Sequence, residues 1–301
     1  MNDEQSYRWK VCYVILHYNT IDKTIQCISS VLKQKIQSIK TDVKIIIVDN
    51  GSLNNSGKIL QKKYKTNKAV HIIIEKENHG FARGNNIGYQ YAMYQEKPDI
   101  IILSNNDIEL RQENFFDLMI DLYNKEKFAV CGPDIYSPYK QVHQNPLREH
   151  GFQKEDIEKL IQRYKRKTKI FQLLKWTRSY FLLHKMKMFV HRLKNEKMEI
   201  KKEQNNVVLH GAFLILGQEY IKAFPEGLYP RTFMYLEEEI LYYLCQKKGL
   251  KMIYCPALNV LHDEGSATRA LKQSRINKAI FEFETTIQSA EIFLKLMEEH
   301  S

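Results

Sequence analysis

The chain of 301 residues has few of the residues that cross-link or punctuate a polypeptide: five cysteines, seven prolines and twelve glycines. The cysteines are odd in number, far apart and never arranged as C-x-x-C, which is typical of isolated core thiols in a reducing compartment and argues against a zinc site. No apolar run approaches the roughly 18 residues that span a bilayer, and the opening residues MNDEQSYRWK are polar. We therefore expect a cytoplasmic protein that is neither secreted nor transmembrane.

The first 130 residues alternate between two hydrophobic periods. Short β-branched runs predict strands buried on both faces, and the segments between them, such as the apolar stripe from Ile21 to Leu32 and the stretch Ala82 to Gln95, predict helices. Alternating strands and helices predict a doubly wound, mostly parallel α/β sheet of the Rossmann-like kind. The strand runs are VCYVILH (11–17), VKIIIVD (43–49), VHIIIE (70–75) and DIIILS (99–104).

Polar residues follow each of these four runs. Ligands of doubly wound sheets bind at the carboxyl ends of the strands, so four polar loops at one edge indicate a ligand site. Each loop by itself is equally consistent with ordinary turn chemistry, because Asn, Asp, Gly and Ser favour turns. The loops are HYN (17–19), DNGS (49–52), ENHGFARGNN (77–86) and SNND (104–107).

The chain lacks the sequence motifs of two classes of nucleotide-binding protein. A dinucleotide fold needs G-x-G-x-x-G after the first strand, whereas this chain has HYNTIDKT there and its Gly80 and Gly84 follow the third strand. The same loop is a poor match to the glycine-rich, basic loop of a nucleotidyltransferase. These absences argue against NAD and disfavour nucleotidyl transfer.

Seven motifs in order resemble those of the family 2 glycosyltransferases with the GT-A fold, in particular the bacterial rhamnosyltransferase-like branch. The motifs are VILHYN, IIIVDNGS, NHGFARGNNIG, LSNNDIEL, HGAFLI, FMYLEEEILYYL and VLHDEGSAT. The resemblance implies a nucleotide-sugar-binding half (1–135), a basic, mostly helical insertion (136–206), an acceptor-binding and catalytic half (207–268) and a C-terminal helical segment (269–301).

The resemblance also implies where the nucleotide-diphosphate sugar binds. Asp49 should accept a hydrogen bond from the base, because a carboxylate suits the N–H of a uracil- or thymine-type edge. His210 and Gly211 should border the acceptor. The residues expected around the donor are His17, Tyr18, Asn19, Gly51, Ser52, Asn78, Gly80, Phe81, Arg83, Asn85, Asn86, Asn105 and Asn106.

Asp107 resembles the last aspartate of the family's D-x-D motif, and His262 resembles its late histidine. Both are expected to bind Mn²⁺ or Mg²⁺ at the diphosphate, although imidazole suits Mn²⁺ better. Asn105 replaces the first aspartate of the motif, and a neutral amide is a weaker ligand. Metal binding is therefore expected to be weaker than in relatives with two aspartates.

The segment FMYLEEEILYYLCQKKG (233–249) predicts a helix that carries the catalytic base. Aligned on the family's F-x-Y-x-E-D pattern, it puts Glu238 at the base position and Glu237 beside it. Neighbouring helix positions lie about 100° apart, so Glu237, Glu238 and Glu239 cannot all face one pocket. The expected reaction is a single inverting displacement that moves a sugar to a hydroxyl of a saccharide or lipid-linked acceptor, as in cell-surface polysaccharide synthesis.

Residues 154–202 contain sixteen Lys and Arg against five Asp and Glu, a surplus equal to the net charge of +11 of the whole chain. Basic residues interleaved with aromatic ones favour an anionic membrane surface, while a solvated hairpin or a protein contact fits the pattern equally well. The C-terminal segment is predicted to form one or two helices that cover the core or build a homo-oligomer interface. A nucleic-acid-binding protein would explain the basic segment but not the four polar loops, and a catalytically weak sugar-nucleotide-binding relative is the other alternative, because of Asn105.

Overall fold

The computed structural model describes residues 8–38, 40–177, 200–264 and 275–299. These ranges contain ten strands, eight α-helices and a π-helical turn, Ala92–Glu96, that follows α3. In chain order they are β1 (Trp9–His17), α1 (Ile21–Gln37), β2 (Thr41–Asp49), α2 (Ser56–Tyr64), β3 (Val70–Ile74), α3 (Gly80–Tyr91), β4 (Ile100–Asn105), β5 (Ile108–Glu109), α4 (Phe115–Glu126), β6 (Val130–Ser137), β7 (Val142–His143), α5 (Lys154–Trp176), β8 (Gln204–Asn205), β9 (Phe213–Leu216), α6 (Gln218–Ala223), α7 (Glu237–Lys247), β10 (Met252–His262) and α8 (Arg275–Glu299).

The strands form one mixed sheet with the main order β3-β2-β1-β4-β9-β6-β10-β5. β1 pairs in parallel with β2 and β4, and β2 pairs in parallel with β3. β9 is antiparallel to both β4 and β6, whereas β10 is parallel to β6. The antiparallel strand β9 thus joins the two halves of the chain, and the carboxyl ends of the parallel strands meet at one edge. The predicted α/β, mostly parallel sheet is confirmed.

Helices cover both faces of the sheet. Along β1, Val11, Tyr13 and Ile15 pack with residues of α1, α2 and α4, whereas Cys12 and Val14 pack with residues of α3, α6 and α7. Since strand side chains alternate between faces, a continuous apolar strand such as β1 contributes to two cores at once. The result is three layers, helix, sheet and helix.

A third apolar cluster joins the C-terminal helix to the basic segment. Ile157 and Ile161 of α5 pack with Phe293 of α8 and Ile240 of α7. The two long helices are antiparallel, since Lys154 pairs with Glu298 at 2.9 Å and Lys165 pairs with Glu291 at 2.8 Å. The apolar face of α5 is therefore buried against the protein, and its basic face points outward.

The element boundaries differ from the sequence expectation in three places. The helix expected over 233–249 spans Glu237–Lys247, because Tyr235 and Leu236 adopt left-handed backbone with φ of 74° and 68°. The helix expected from Ala82 to Gln95 begins at Gly80 and becomes π-helical after Tyr91.

The segment 136–206, predicted to be mostly helical, contains α5 and also the end of β6, β7 and β8. Its residues 178–199, like 265–274 near the C-terminal segment, lie outside the described ranges. Among the helices that the structure describes, none combines the length and apolarity needed to cross a bilayer.

Candidate active site

The loops after β1 and β2 are hydrogen-bonded to each other at the carboxyl edge of the sheet. The backbone N–H of Asn19 donates to Ser52 Oγ at 2.8 Å, and its side-chain Oδ1 accepts from the N–H of Leu53 at 3.1 Å. Asn19 achieves this with left-handed backbone, at a φ of 60°. Tyr18, next to it, is exposed. Asn19 and Ser52 therefore fix one wall of the edge where a donor would enter.

Asp49 lies at the bottom of this wall, with only 2% of its surface exposed. Its Oδ1 accepts the N–H of Ser52 at 3.1 Å. Its Oδ2 lies 1.8 Å from where a Cβ on Gly57 would be, so a side chain at position 57 would collide with the carboxylate. The first turn of α2 thus needs glycine because it packs directly on Asp49.

His17 supports this wall from behind. It is fully buried, and its ring bonds Thr24 Oγ1 at 2.6 Å through Nδ1 and Ser56 Oγ at 2.7 Å through Nε2. Burial lowers the pKa of His17 to about 4, against the opposing effect of the nearby Asp49 carboxylate. The imidazole is therefore neutral at pH 7, and both of its nitrogens are bonded within the protein.

Asn50 connects the β2 loop to the start of α3. Its Nδ2 donates to Asn78 Oδ1 at 3.1 Å and to the carbonyl of Gly80 at 3.0 Å, and its Oδ1 accepts from the N–H of His79 at 3.0 Å. A Cβ on Gly51 would lie 2.4 Å from the carbonyl carbon of Glu77, so the two loops touch backbone to backbone. Sequence analysis missed Asn50, although it lies inside the DNGS motif.

The first turns of α3 hold the loop that precedes α7. Phe81 donates its N–H to the carbonyl of Phe233 at 2.8 Å, and Arg83 Nε donates to the carbonyl of Pro230 at 2.8 Å. Asn86 exchanges two hydrogen bonds with the backbone of Leu228, at 2.6 and 2.7 Å. Phe81, Arg83 and Asn86, expected beside the donor, thus connect the two halves of the protein.

Gly80 and Asn85 complete this contact. Gly80 has a φ of 79°, and a Cβ there would lie 2.0 Å from the carbonyl oxygen of Phe233. Asn85 is buried and donates through Nδ2 to the carbonyl of Phe81 at 3.0 Å. Only glycine at position 80 lets the loop approach the helix this closely.

The end of β4 joins the N-terminal and C-terminal motifs. The N–H of Asn105 donates to the carbonyl of Ala212 at 2.9 Å, and Asn106 Nδ2 donates to Thr20 Oγ1 at 2.7 Å and Thr24 Oγ1 at 2.8 Å. The backbone carbonyl of Asp107 accepts from the N–H of Asp263 at 2.9 Å. The end of β4 therefore lies between the start of α1 and the end of β10.

Asp107 and His262 are brought together here, as the sequence motifs predicted for a pair of metal ligands. His262 is 5% exposed, and its Nε2 lies 3.1 Å from Asp107 Oδ1. This Oδ1 is buried and accepts no well-aligned hydrogen bond. Two donor atoms about 3 Å apart suit neighbouring positions around one octahedral ion with bonds near 2.1 Å. No cluster of three His, Cys, Asp or Glu side chains occurs within the described ranges, so other ligands would have to come from substrate or water.

A cavity of about 410 Å³ is lined by Asn105, two residues before Asp107, and by His210, whose ring contacts that of His262. Its floor includes Asn105 and the segment His210–Ala212, and Glu237 and Glu238 project from the N-terminus of α7. Its far wall comes from α5 and α8, through Leu160, Tyr164, Glu282 and Thr286. The cavity thus lies between the end of β4, the two carboxylates at the start of α7, and the helices α5 and α8.

Both cavity glutamates have a raised pKa. Burial, reinforced by the charge of Glu238, raises the pKa of Glu237 to about 8, and Thr232 Oγ1 lies 3.2 Å from its Oε1. Burial also raises the pKa of Glu238, but the N–H of Gly211, 3.3 Å from Oε1, and the Arg148 guanidinium oppose this. When two carboxylates share a site, one of them keeps a proton. Glu237, with a pKa of about 8, keeps its proton at pH 7.

The third glutamate faces away from the cavity. Glu239 is buried, forms an ion pair with Arg148, and accepts the N–H of Phe152 at 2.9 Å. Arg148 also stacks on the Phe152 ring, 4.1 Å from its centroid. Glu239 therefore holds the segment from Arg148 to Phe152, which leads into α5, against α7.

His210 and Gly211 lie between Glu238 and the Asp107–His262 pair. His210 Nδ1 accepts the N–H of Ala212 at 3.1 Å, and the rings of His210 and His262 make an edge contact with centroids 5.9 Å apart. A Cβ on Gly211 would lie 2.9 Å from Glu238 Oε1. Both residues border the cavity.

Sequence analysis missed three residues that reach the site from 136–206. Asn145 Oδ1 accepts the N–H of His210 at 3.0 Å, Gln144 Oε1 lies 2.7 Å from His262 Nδ1, and Arg148 pairs with Glu239. Treating 136–206 as an insertion hid them, and their short local sequence carries no motif that would have identified them.

Two solved structures share this fold. GalNAc-T7 with UDP, GalNAc and Mn²⁺ matches 87% of this chain and 44% of its own, with a TM-score of 0.57 and 12% identity. The mannosyltransferase PcManGT from Pyrobaculum calidifontis, in complex with GDP-Man and Mn²⁺, matches 94% of this chain and 70% of its own, with a TM-score of 0.54 and 12% identity. The fold is that of the GT-A glycosyltransferases.

Residues 12–189 match the model of glycosyl transferase family 2, and the chain belongs to this family. The match favours the glycosyltransferase interpretation over the nucleic-acid-binding alternative. It runs well into 136–206, which the sequence motifs had left outside the family pattern, and it ends before α7 and His262.

Two curated relatives align over shorter stretches. Glycosyltransferase GlyG of Streptococcus pneumoniae serotype 4 is 27% identical over 40% of this chain, and the low-salt glycan biosynthesis hexosyltransferase Agl10 of Haloferax volcanii is 22% identical over 35% of it. The alignments span 38% and 32% of those relatives' own lengths.

Proposed function

We propose that the protein is an inverting glycosyltransferase that moves a hexose from a nucleotide-diphosphate sugar to a hydroxyl of a saccharide acceptor in cell-surface polysaccharide synthesis. The observation that carries the proposal is the cavity in which two glutamates with raised pKa values, Glu237 and Glu238, lie next to Asn105 at the strand end that leads to Asp107. The motif resemblance to the rhamnosyltransferase-like branch and the name of the hexosyltransferase relative support a hexose donor.

The donor nucleotide is proposed to lie along the loops after β1 and β2. Asp49 is an acceptor at the base of this edge and suits the N–H of a uracil- or thymine-type base, which favours UDP or dTDP. Tyr18 offers an exposed ring beside it. Asn19 and Ser52 are already bonded to each other, so the wall is formed before a ligand arrives.

Asp107 and His262 would hold a divalent cation, and the Mn²⁺ in both structural neighbours supports this. The orphaned Oδ1 of Asp107 and the facing Nε2 of His262 fit such an ion. A cation there would neutralise the charge that builds on the diphosphate as its bond to the sugar breaks.

Glu238 is proposed to be the general base. A base must be free of its proton before it can take one, and a raised pKa makes a carboxylate a stronger base near neutral pH. Glu238 accepts the proton of the acceptor hydroxyl while that oxygen attacks the anomeric carbon on the side opposite the diphosphate. One displacement inverts the anomeric configuration. The protonated Glu237 donates a hydrogen bond to the acceptor or to Glu238.

The basic face of α5 is proposed to dock on an anionic membrane surface at the cytoplasmic side, where a lipid-linked acceptor would be presented. Arg163, Arg166 and Lys169 are exposed on this face. At its end, Leu173 is 58% and Trp176 83% exposed, which suits insertion at the headgroup level. The opposite face of α5 lines the cavity, so docking would set the cavity close to the membrane.

The test is a thermal-shift measurement with UDP, dTDP and GDP, each with and without Mn²⁺. A ligand that binds only the folded state raises the melting temperature, and we expect UDP or dTDP with Mn²⁺ to raise it by a few degrees. Asp49→Ala should remove most of this shift, whereas Asp22→Ala, on the exposed first turn of α1, should retain it. A melting curve unmoved by every nucleotide, with and without metal, would refute the donor site.

A further inference from the structure

A chain of polar contacts runs from the hairpin of β6 and β7 to the proposed cation site. Lys140 Nζ lies 2.5 Å from Glu264 Oε2, and Glu264 Oε1 accepts from Gln144 Nε2 at 2.8 Å. Gln144 Oε1 lies 2.7 Å from His262 Nδ1, and His262 Nε2 lies 3.1 Å from Asp107 Oδ1. Gln144 and His262 are both buried, so water competes little for these contacts.

The direction of each hydrogen bond in this chain follows from donor and acceptor chemistry. A carboxylate that receives the Lys140 ammonium has no proton to give, so Gln144 must turn its NH₂ group to Glu264. The amide oxygen of Gln144 then faces His262 Nδ1, and an oxygen accepts only from a nitrogen that carries hydrogen. The carboxylate of Glu264 therefore fixes which end of the Gln144 amide faces His262.

The consequence lies on the other side of the imidazole ring. With the proton on Nδ1, the neutral ring of His262 turns a lone pair at Nε2 towards Asp107 Oδ1, which is also an acceptor. Two acceptors 3.1 Å apart repel each other unless a positive charge lies between or beside them. The arrangement therefore prepares both atoms to share a cation.

We propose that Gln144, oriented by Glu264, is a positioning residue that fixes His262 as the Nδ1–H tautomer and keeps its Nε2 available to a divalent cation beside Asp107. Outer hydrogen bonds of this kind hold metal-binding histidines in one tautomer and raise their basicity. The proposal rests on the cation site of the proposed function, but the tautomer itself is a property of the protein without metal.

The first arm of the test reads the tautomer in metal-free protein. ¹⁵N NMR at alkaline pH identifies which ring nitrogen of His262 carries the proton, with the signal assigned by its loss in His262→Asn. We expect Nδ1–H in the wild type. Gln144→Met keeps the length but removes the acceptor, so the proton should move to Nε2, where Asp107 accepts it. Glu264→Gln should move part of the population of His262 rings to the Nε2–H tautomer, since the new amide can bond either end of the Gln144 amide.

The second arm measures Mn²⁺ affinity by electron paramagnetic resonance of the free ion. We expect Gln144→Met to weaken binding by about 10- to 100-fold, the usual effect of losing an outer partner. Gln162→Met, an exposed position on α5, should bind as the wild type does.

A bare Nδ1 in the wild type, or an unchanged tautomer and affinity in both the Gln144 and Glu264 variants, would overturn the proposal. If the wild type binds no Mn²⁺, the cation site of the proposed function fails, while the tautomer measurement still decides the role of Gln144.

Discussion

Glu237, Glu238 and Glu239 are adjacent in sequence but occupy three different environments. Glu237 and Glu238 both line the cavity, Glu237 buried beside Thr232 and Glu238 next to Gly211, whereas Glu239 pairs with Arg148. Helical geometry separates neighbouring side chains by about 100°, and the left-handed backbone at Leu236 sets where the first turn begins. The position of the helix start therefore decides which of the three carboxylates line the cavity.

Replacing Glu238 by glutamine should abolish proton transfer without altering the site. The amide oxygen of the new side chain can still accept from the N–H of Gly211, but it cannot take a proton. We expect turnover to fall by roughly 10²- to 10⁴-fold, the usual contribution of general acid–base catalysis, with nucleotide affinity unchanged. Turnover and thermal shift under saturating donor measure both quantities.

The other two glutamates provide the comparison. Glu237→Gln still donates a hydrogen bond, as the protonated acid does, so its turnover should fall less than that of Glu238→Gln. Glu239→Gln weakens the pair with Arg148, so its melting temperature should drop while the turnover of the folded fraction persists. If Glu238→Gln keeps normal turnover and Glu237→Gln loses it, the base is Glu237.

Residues in local motifs could be predicted from the sequence, and residues that arrive by long-range contact could not. Asp49 ends β2, Asp107 follows β4 and Glu238 lies in the first turn of α7, and the hydrophobic pattern locates all three elements. Gln144 contacts His262 at a sequence separation of 118 residues, and no periodicity encodes such a contact. Arg83 shows the converse, since its motif is recognisable but its Nε bonds the loop at Pro230.

The helix α5 shows how tertiary packing divides one amphipathic pattern between two surfaces. Its apolar residues Ile157 and Ile161 pack on α8 and α7. The sequence alone cannot distinguish such a buried face from an apolar face that binds a membrane. The outer face keeps the basic residues and, near the C-terminal end, Ile170 and Leu173. Similarly, α7 begins at Glu237, four residues after the start of the predicted segment 233–249, because Tyr235 and Leu236 adopt left-handed backbone.

Charge reversal on the outer face of α5 should weaken binding to anionic vesicles. Each basic residue near such a surface contributes about 1 kcal/mol, so Arg163→Glu, Arg166→Glu and Lys169→Glu together should lower the partition coefficient by at least about 100-fold. Cosedimentation with phosphatidylserine vesicles measures this, and added salt should reduce wild-type binding because screening shortens the range of the attraction.

A matched variant separates the face of α5 from net charge. Lys58→Glu, Lys62→Glu and Lys65→Glu make the same change on exposed positions of α2 and its C-cap and should leave most of the binding intact. Equal losses in the two triple variants would mean that only total charge matters, and no loss in the α5 variant would refute docking through this face.

The described ranges share one sheet, in which β9 and the contacts of α3 connect the N-terminal half to the C-terminal half. The sequence predicted the parallel strands β1 to β4, because their β-branched runs are unambiguous, whereas the order of β9, β6 and β10 depends on pairings far apart in the chain. Because all the strands belong to one sheet, the carboxyl ends of β1 and β2 unfold together with the rest of the sheet. A buried group at these strand ends should therefore influence the free energy of unfolding of the whole protein.

His17 is such a group, and it should make stability fall on acidification. Its pKa is about 4 in the folded protein because burial disfavours the charged ring, compared with about 6.5 in an unfolded chain. Between these values the unfolded chain binds a proton that the folded state does not, so this contribution is complete above pH 6.5 and is lost as pH falls towards 4. Linkage gives a loss of about 2 kcal/mol between pH 7 and pH 5.

Urea unfolding at a series of pH values measures this slope. His17→Gln can still bond Thr24 and Ser56 but does not titrate, so its free energy of unfolding should decline less with falling pH than that of the wild type, even if it is lower at pH 7. His150→Gln, at an exposed position, should keep the wild-type slope, because an exposed imidazole gains little from unfolding. If His17→Gln lost stability on acidification as steeply as the wild type, His17 would not be held neutral in the fold, and the acid sensitivity would have to arise from the carboxylates.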